Sequence, residues 1–306
     1  MPMISRSLSH FIATFERRSV TAAAKDVNIT QPALTRSLKA LEDELGVMLF
    51  ERFAGGMVPT SFGELLYQYA KRMHQDYRHA KAEIDVMRGG ASGRIQIGAG
   101  PIWIAHFLPL AIDQFRKRWP AVRFSISQGT ITTMQPALLS GAIDMFCGSL
   151  DFPDHPEIRR DELLPIQHVL IASKTHPLAQ MEKVETKDLV KFPWAFLIDD
   201  LTGRRRVASF FAGQGFDPPI ASLETSSVAC VCETLFSGEF IACLAEPLLK
   251  SRIGHNLVAL NVNRPIWDYA AGIAMRTQFR GSLVTVRFVQ HLQGMFSVGQ
   301  GLSAAP

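Results

Sequence analysis

Cysteine is scarce in this 306-residue chain: only Cys147, Cys230, Cys232 and Cys243 occur, three of them close together. Four thiols so placed cannot staple a chain of this length, which excludes a disulfide framework and leaves reduced, mostly buried thiols as the expectation. Long apolar runs are missing too, and none approaches the roughly 20 residues a membrane helix requires. The opening stretch MPMISRSLSHFIATFERRSV holds scattered apolar residues followed by Arg17-Arg18 rather than the continuous apolar segment of a signal peptide. The expectation is a water-soluble cytoplasmic protein, associated with the nucleoid if it binds DNA, and no membrane partner.

Catalytic signatures are equally sparse. The nine histidines are scattered without HExxH spacing, and no paired CxxC occurs, so no metal site is expected. Gly98-Ala99-Gly100 begins like a dinucleotide loop, but the third glycine of GxGxxG would fall at Trp103. Neither GxSxG nor GKS/GKT is present. The reading is a non-enzyme without cofactors.

What the chain does have is ordinary globular composition, 47% hydrophobic and 20% charged, with enough length for about two domains. Its net charge of +4 says little, because DNA affinity depends on where cations sit.

Leu8, Phe11, Ile12 and Phe15 recur at helical spacing, and a second short helix follows with Val20, Ala23, Ala24 and Val27 inward. The two alanines let another helix cross closely. Asn28-Ile29 form a turn. Thr30 offers a cap hydroxyl and Pro32 suits a first helical turn, so a third helix starts here with Leu34, Leu38, Leu41 and Leu45 as its apolar stripe. That stripe leaves Thr30, Gln31, Pro32, Ala33, Thr35, Arg36 and Lys39 on or near the outer face of the N-terminal half. Glu42, Asp43 and Glu44 crowd the other end. Side chains that reach base edges beside flanking cations are what a DNA-recognition helix needs, and Arg36 or Gln31 can meet a base edge. A solvated amphipathic helix in another three-helix unit fits the spacing equally well. Phe53 to Thr60 reads as a hairpin turning at Gly55-Gly56, with Arg52 as its clear cation.

The string SVTAAAKDVNITQPALTRSLKALEDELGVMLFER closely resembles the N-terminal motif of LysR-type transcriptional regulators, at Ala23-Ala24, Gln31-Pro32-Ala33-Leu34, Arg36, Leu41-Glu42, Leu45-Gly46, Leu49-Phe50 and Arg52. The resemblance implies a winged helix-turn-helix over residues 1–60, its motif at 19–38, bound to double-stranded promoter DNA. Family wings often carry more basic residues than Arg52-Phe53-Ala54-Gly55-Gly56, which shifts the expected contact to the recognition helix.

Ser61-Phe62-Gly63-Glu64 fits a capping box, with Thr60 the competing cap, and neither Pro nor Gly interrupts the chain from there to Gly89-Gly90. In this long helix Leu66, Ala70, Met73, Tyr77, Ala80, Ile84 and Met87 step by four and three, a heptad seam for a second helix, packing on its own domain being the alternative. The resemblance supports dimerisation through this linker, residues 61–90, and a homodimer or homotetramer. Gly89 to Gly93 then supplies a joint.

From Arg94 strand-like and helix-like runs alternate, the pattern of an α/β domain: IQIGA, a helix with Leu108, Ile112, Phe115 and Trp119, then VRFSIS. A helix ending near Gly141 and a strand over 143–147 complete a first lobe, and HVLIAS (168–173) opens another, continued at 194–198, 220–225 and 240–244. Residues 257–261 lead to a crossing near Pro265, and 269–275 with a helix over 282–292 return to the first lobe. Landmarks at Phe107-Leu108-Pro109, Phe115, Pro120, Gly141-Ala142-Ile143-Asp144 and His176-Pro177-Leu178-Ala179 resemble the LysR effector domain. That resemblance implies a two-lobed periplasmic-binding-protein-like fold over 91–306, with lobe I at 91–162 and 267–306 and lobe II at 163–266.

Ligands of such lobes collect where strand ends meet helix starts. Those junctions are Gly100-Pro101-Ile102, Gln128-Gly129-Thr130, Gly148-Ser149, Phe196, Thr225-Ser226-Ser227 and, near another strand end, Glu246; plain caps and turns are the alternative at each. The family commonly presents a hydroxyl at the first junction, which Gly100-Pro101-Ile102 lacks. The expected partners are promoter DNA, a small-molecule effector with organic acids as one class, and RNA polymerase. Arg204-Arg205-Arg206 reads as a solvated face. A thiol sensor using Cys230, Cys232 or Cys243, and a solute-binding protein whose N-terminal domain serves assembly, are the rival readings.

Overall fold

A computed structural model describes residues 6–53, 56–87, 93–262, 266–278 and 282–297. The chain forms two compact units, one of residues 1–90 with Leu139–Ala142 and Arg280–Ser282, the other of the remainder.

In the first unit α1 (Arg6–Arg17), α2 (Val20–Asp26) and α3 (Gln31–Leu45) enclose a core of Phe11, Ala23, Ala24, Leu34, Leu38 and Leu41. The small alanines bring α2 against its neighbours. Leu45, expected inward, is 45% exposed, because Gly46 turns the chain left-handed (φ 70°) directly after it. Thr30 occupies the N-cap of α3 in extended backbone, yet its hydroxyl accepts no cap hydrogen bond. The hairpin opens earlier than its sequence suggests: β1 (Phe50–Phe53) pairs with β2 (Gly56–Pro59), Phe50 opposite Pro59 and Phe53 opposite Gly56. Burial of Leu49 and Phe50 beside Phe11 draws this start forward. Ala54 and Gly55 lie outside the described residues.

The long helix is α4 (Ser61–Met87), and Thr60 rather than Ser61 caps it. The Thr60 hydroxyl accepts the Gly63 N–H at 3.1 Å while donating to the Met48 carbonyl at 2.7 Å. One side chain thus satisfies the helix start and fixes the entering chain.

In the second unit the strands are β3 (Gly93–Ala99), β4 (Val122–Gln128), β5 (Met145–Ser149), β6 (Ile158–Ser173), β7 (Trp194–Leu197), β8 (Ala221–Thr225), β9 (Ile241–Ala245), β10 (Leu257–Ala259) and β11 (Trp267–Arg276). They form one sheet in the order β4-β3-β5-β11-β6-β9-β7-β8, with β10 beside β6. The outer strands at each end run parallel to their neighbours, whereas β5-β11, β11-β6 and β6-β9 are antiparallel. Helices α5 (Leu108–Arg118), α6 (Ile131–Leu139) and α10 (Leu283–Ser297) belong to the β4-β3-β5 end. Helices α7 (Thr186–Leu189), α8 (Leu201–Ala212) and α9 (Val228–Leu235) belong to the other.

Several boundaries differ from the expected ones: the last helix, expected to end at 292, continues to Ser297, and three strand limits have a local cause. The strand expected at 143–147 begins at Met145, because the Asp144 carboxylate accepts the Gln96 N–H at 2.7 Å and holds Ile143-Asp144 in the turn. The strand expected at 168–173 runs back to Ile158 through Pro165, since pairing with β11 supplies its ladder without a Pro165 donor. The return strand begins at Trp267, and Pro265 lies outside the described residues. A bulge between Ala271 and Gly272 bends the β6-β11 pair, where a Cβ on Gly272 would lie 2.1 Å from the Asp161 carbonyl oxygen.

Candidate nucleic-acid interface and ligand cleft

Burial of Leu34, Leu38 and Leu41 turns the opposite face of α3 outward, so Thr30, Gln31, Pro32, Arg36 and Lys39 are exposed and Ala33 and Thr35 half-buried. Gln31 Oε1 accepts from the Thr21 hydroxyl at 3.4 Å, which links the start of α3 to α2. Neither Arg36 nor Lys39 makes an ion pair among the described residues. Their charges are therefore available to an external anion, beside a helix N-terminus that also favours one. The acidic end of α3 is partly structural. Glu42 Oε1 accepts the N–H groups of Leu49 at 2.8 Å and Phe50 at 3.2 Å, tying the hairpin to α3. The side chain of Arg52 lies outside the described residues.

Along α4, Leu66 and Ala70 do not face outward as a seam should. Both pack into the core of the first unit, Ala70 fully buried. Met73, Ala80 and Ile84 are exposed, Tyr77 is half-buried, and the Met87 side chain lies outside the described residues. Phe62, Leu65, Tyr69 and Met73 are 47–57% exposed at spacings of three and four. The open apolar stripe is thus rotated from the predicted one. Next to it, Phe15 stacks on Tyr67 at 3.8 Å, and Glu16 accepts from Tyr67 at 2.9 Å and pairs with Lys71. Burial pushes Glu16 upward, but the hydrogen bonds from Lys71 and Tyr67 and the Lys71 charge outweigh it and leave the carboxyl below its ordinary range.

The predicted cleft residues meet different fates. Gln128, at the end of β4, donates through Nε2 to the Ser226 carbonyl at 2.8 Å, so the two ends of the sheet touch at a hydrogen bond. Thr225 and Ser149 are occupied locally: their hydroxyls accept the N–H groups of Ser227 and Asp151, each at 3.1 Å. Gly100 and Ile102 are buried and Pro101 half-buried. Gly100 donates to the Cys147 carbonyl at 2.9 Å, and Gly129 to that of Ala99 at 3.0 Å. At the next junction the Thr133 hydroxyl, not that of Thr130, takes the capping role. Glu246 is exposed at the start of a 3-10 turn. Phe196 lines a cavity beside α8 together with Asp200, Arg204 and Cys243.

Several residues near these junctions escaped the sequence reading. His168 on β6 is buried, its ring stacked on Trp267 at 4.0 Å and 11°. Burial drives its pKa down to about 3, so the imidazole is neutral at physiological pH, and Nδ1 finds no hydrogen-bond partner among the described residues. Tyr269 lies beside it, 5.4 Å between ring centres, and burial with the Asp200 charge raises its phenol. Burial also raises Asp200, whose carboxylate caps α8 by accepting the Gly203 N–H at 2.8 Å. His106 falls within a π-helical turn (Trp103–Phe107); burial and the Lys250 charge lower its pKa. The only available signal was the pair of aromatics that opens the last strand.

Burial also raises the thiols of Cys147, Cys232 (to about 12) and Cys243, which keeps them protonated and unreactive at neutral pH. Cys230 is exposed while Cys232, two residues on in α9, is buried. Among the described residues no cluster of His, Cys, Asp and Glu could hold a metal ion, and no helix is long and apolar enough to cross a membrane.

Two family profiles match: "Bacterial regulatory helix-turn-helix protein, lysR family" over residues 5–64, and "LysR substrate binding domain" over residues 88–297. The chain is 30% identical over 193 residues to the SDS degradation transcriptional activation protein of a Pseudomonas species, covering 62% of this chain and 63% of that protein. It is 27% identical over 268 residues to the regulator GbpR of Rhizobium radiobacter, covering 82% and 89%. Alignments with relatives from Synechococcus elongatus and Burkholderia cenocepacia cover 57% and 65% of those proteins, so several matches span less than two thirds of the relative. The fold is that of CbnR, a LysR family transcriptional regulator (TM-score 0.67, 21% identity, 96% and 99% of the two chains). It is equally that of CbnR complexed with its target DNA (TM-score 0.66, 22% identity, 95% and 99%).

Proposed function

Because the chain belongs to the LysR family of bacterial regulators, we propose that it is a non-enzymatic cytoplasmic transcription factor that reads promoter DNA with α3 and answers to a small molecule held by its second unit. The observation that carries the DNA reading is the α3 surface, where Gln31, Arg36 and Lys39 stand exposed above a helix locked in place by Leu34, Leu38 and Leu41. Arg36 and Gln31 meet base edges in the major groove; Thr30, Pro32, Ala33, Thr35 and Lys39 set the approach, and Lys39 and Arg52 pair with phosphates. Two copies associate through the stripe of Phe62, Leu65, Tyr69 and Met73, continued by Ala80 and Ile84, and pairs of dimers form the tetramer. Two reading heads on one body address two half-sites. RNA polymerase is the onward partner.

Effector binding engages the junction residues around the Gln128–Ser226 hydrogen bond, where Gly100, Pro101, Ile102, Gly129, Thr130, Ser149, Thr225 and Glu246 stand at strand ends. Closure there changes the spacing of the heads. The thiol-sensor alternative now rests on Cys230 alone, the one exposed cysteine.

The test is Arg36→Ala in the full-length protein, with operator fragments selected from random DNA and binding read by fluorescence anisotropy. Loss of one base-edge contact costs about 1–3 kcal/mol, so specific affinity falls by roughly 5- to 150-fold per site, while the melting temperature holds. Unchanged operator affinity would remove α3 from the interface.

A further inference from the structure

The triplet Arg204-Arg205-Arg206, a solvated face by its sequence, is divided by the fold. Arg205 and Arg206 are exposed, whereas Arg204 turns inward with its side chain 32% exposed, its guanidinium 5.0 Å above the Phe196 ring and its Nη2 paired with Glu224. Two adjoining cavities meet at Phe196, Arg204 and Val207. The inner one, with only about 10 Å³ open to a water-sized sphere, is bounded by Asp200 and Cys243. The outer one, about 440 Å³ with its open mouth, runs between α8 and β8, walled by Val207, Ala208, Pro218, Pro219 and Ala221. Because β8 is the last strand of the sheet, nothing in the sheet closes that mouth.

We propose that the outer groove is a second ligand site, separate from the strand-end cleft, for a small monocarboxylate with a compact aromatic or branched aliphatic body. About 190 Å³ of it admits a water-sized sphere, room for a compact ligand only, and its composition fits the usual form of small-molecule sites, apolar walls with one polar group that fixes orientation. Arg204 is the only ionisable side chain on the wall. Arg204 Nε is buried and has no hydrogen-bond partner among the described residues, although Nη2 is engaged. A carboxylate oxygen satisfies that N–H with a charge-assisted hydrogen bond, while Phe196, Val207 and the two prolines take the apolar body. An anion is disfavoured deeper in, where Asp200 stands. Arg205 and Arg206, one and two residues along α8, add positive potential outside.

The probe is 4-fluorobenzoate, titrated into the full-length protein and followed by fluorine NMR line broadening. Wild type gives saturable broadening that 3-methylbutanoate displaces and benzyl alcohol does not. Ala208→Phe, which fills the groove, abolishes it, and Arg204→Gln weakens it about tenfold or more; Arg204→Gln also keeps the test decisive if Ala208→Phe fails to fold. Arg205→Gln, Arg206→Gln and the cleft variant Gln128→Ala bind as wild type. No saturable binding, equal losses for all three arginines, or loss in Gln128→Ala with binding kept in Arg204→Gln overturns the proposal. So does a changed sedimentation coefficient of unliganded Ala208→Phe, which would assign the groove to a second copy of the chain.

Discussion

Replacing Glu42 by alanine should loosen the hairpin without disturbing the DNA-reading face. Its Oε1 is the acceptor for two backbone N–H groups, those of Leu49 and Phe50, at 2.8 and 3.2 Å, and both residues are at most 2% exposed. Truncation strands two buried donors, each costing about 1–3 kcal/mol. Glu42 itself is half-buried and water can partly replace it, which places the sum near the low end, about 2–4 kcal/mol. Hydrogen exchange by mass spectrometry on the full-length protein reads this locally: peptides covering 47–53 should exchange roughly 30- to 700-fold faster, at about tenfold per 1.4 kcal/mol. Glu42→Gln keeps an uncharged acceptor and should recover part of the protection, and Glu44→Ala, on the exposed side of the same turn, should leave it intact. Exchange within threefold of wild type in Glu42→Ala would refute the role given to this carboxylate.

Gly272→Ala places a Cβ 2.1 Å from the Asp161 carbonyl oxygen, against backbone that cannot rotate away. The β6-β11 pair must part, at about 1–3 kcal/mol, and calorimetry should show the melting temperature several degrees lower. Glu16 is held below its ordinary value of 4.5, so its contribution is fully present above that pH and lost as pH falls through its depressed folded value. Glu16→Gln should therefore lower the denaturation midpoint at pH 7, with the gap to wild type closing toward pH 3; a constant gap would contradict the ion-pair assignment. Tyr69→Glu with Met73→Glu puts charge on the exposed stripe of α4, and analytical ultracentrifugation should show a shift toward monomer. The Leu66→Ala change should instead lower stability, because Leu66 packs in the domain core.

Those last two variants mark where sequence periodicity stops being informative. Leu66, Ala70 and Met73 keep heptad spacing, but spacing cannot say which partner an apolar residue meets, and here the nearer partner wins: α4 packs its early positions against α1 and β2. The stripe left open includes Phe62, Leu65 and Tyr69, which the heptad had passed over. The three N-terminal helices were readable for the opposite reason. Their apolar positions fall on one face each and the small Ala23-Ala24 pair admits a single close crossing, so local pattern and tertiary packing agree. The Glu42 carboxylate shows the limit even there, since it reads as part of an acidic cluster until the hairpin folds back over it.

The strand-and-helix alternation of the second unit was likewise legible, whereas its cleft chemistry was not, and the cause is physical. Strand ends are local features, marked by Gly100, Gln128 and Ser226, and they can be located from pattern alone. His168, Asp200, Cys243 and Tyr269 come from four different strands or loops separated by up to 101 residues; only the sheet order β11-β6-β9-β7 makes them neighbours. Once assembled, they differ from the hydroxyl-lined cleft that strand-end residues suggested. Thr225 and Ser149 spend their oxygens on nearby backbone, while burial neutralises His168 and raises Asp200 and Tyr269. His168 and Tyr269, which burial holds neutral, meet a partner through hydrogen bonds rather than through charge. Recognition beside those two side chains should therefore turn on where a ligand places donors and acceptors, whereas Arg204, the one guanidinium lining the α8 cavities, is the group there that would answer to a ligand's charge.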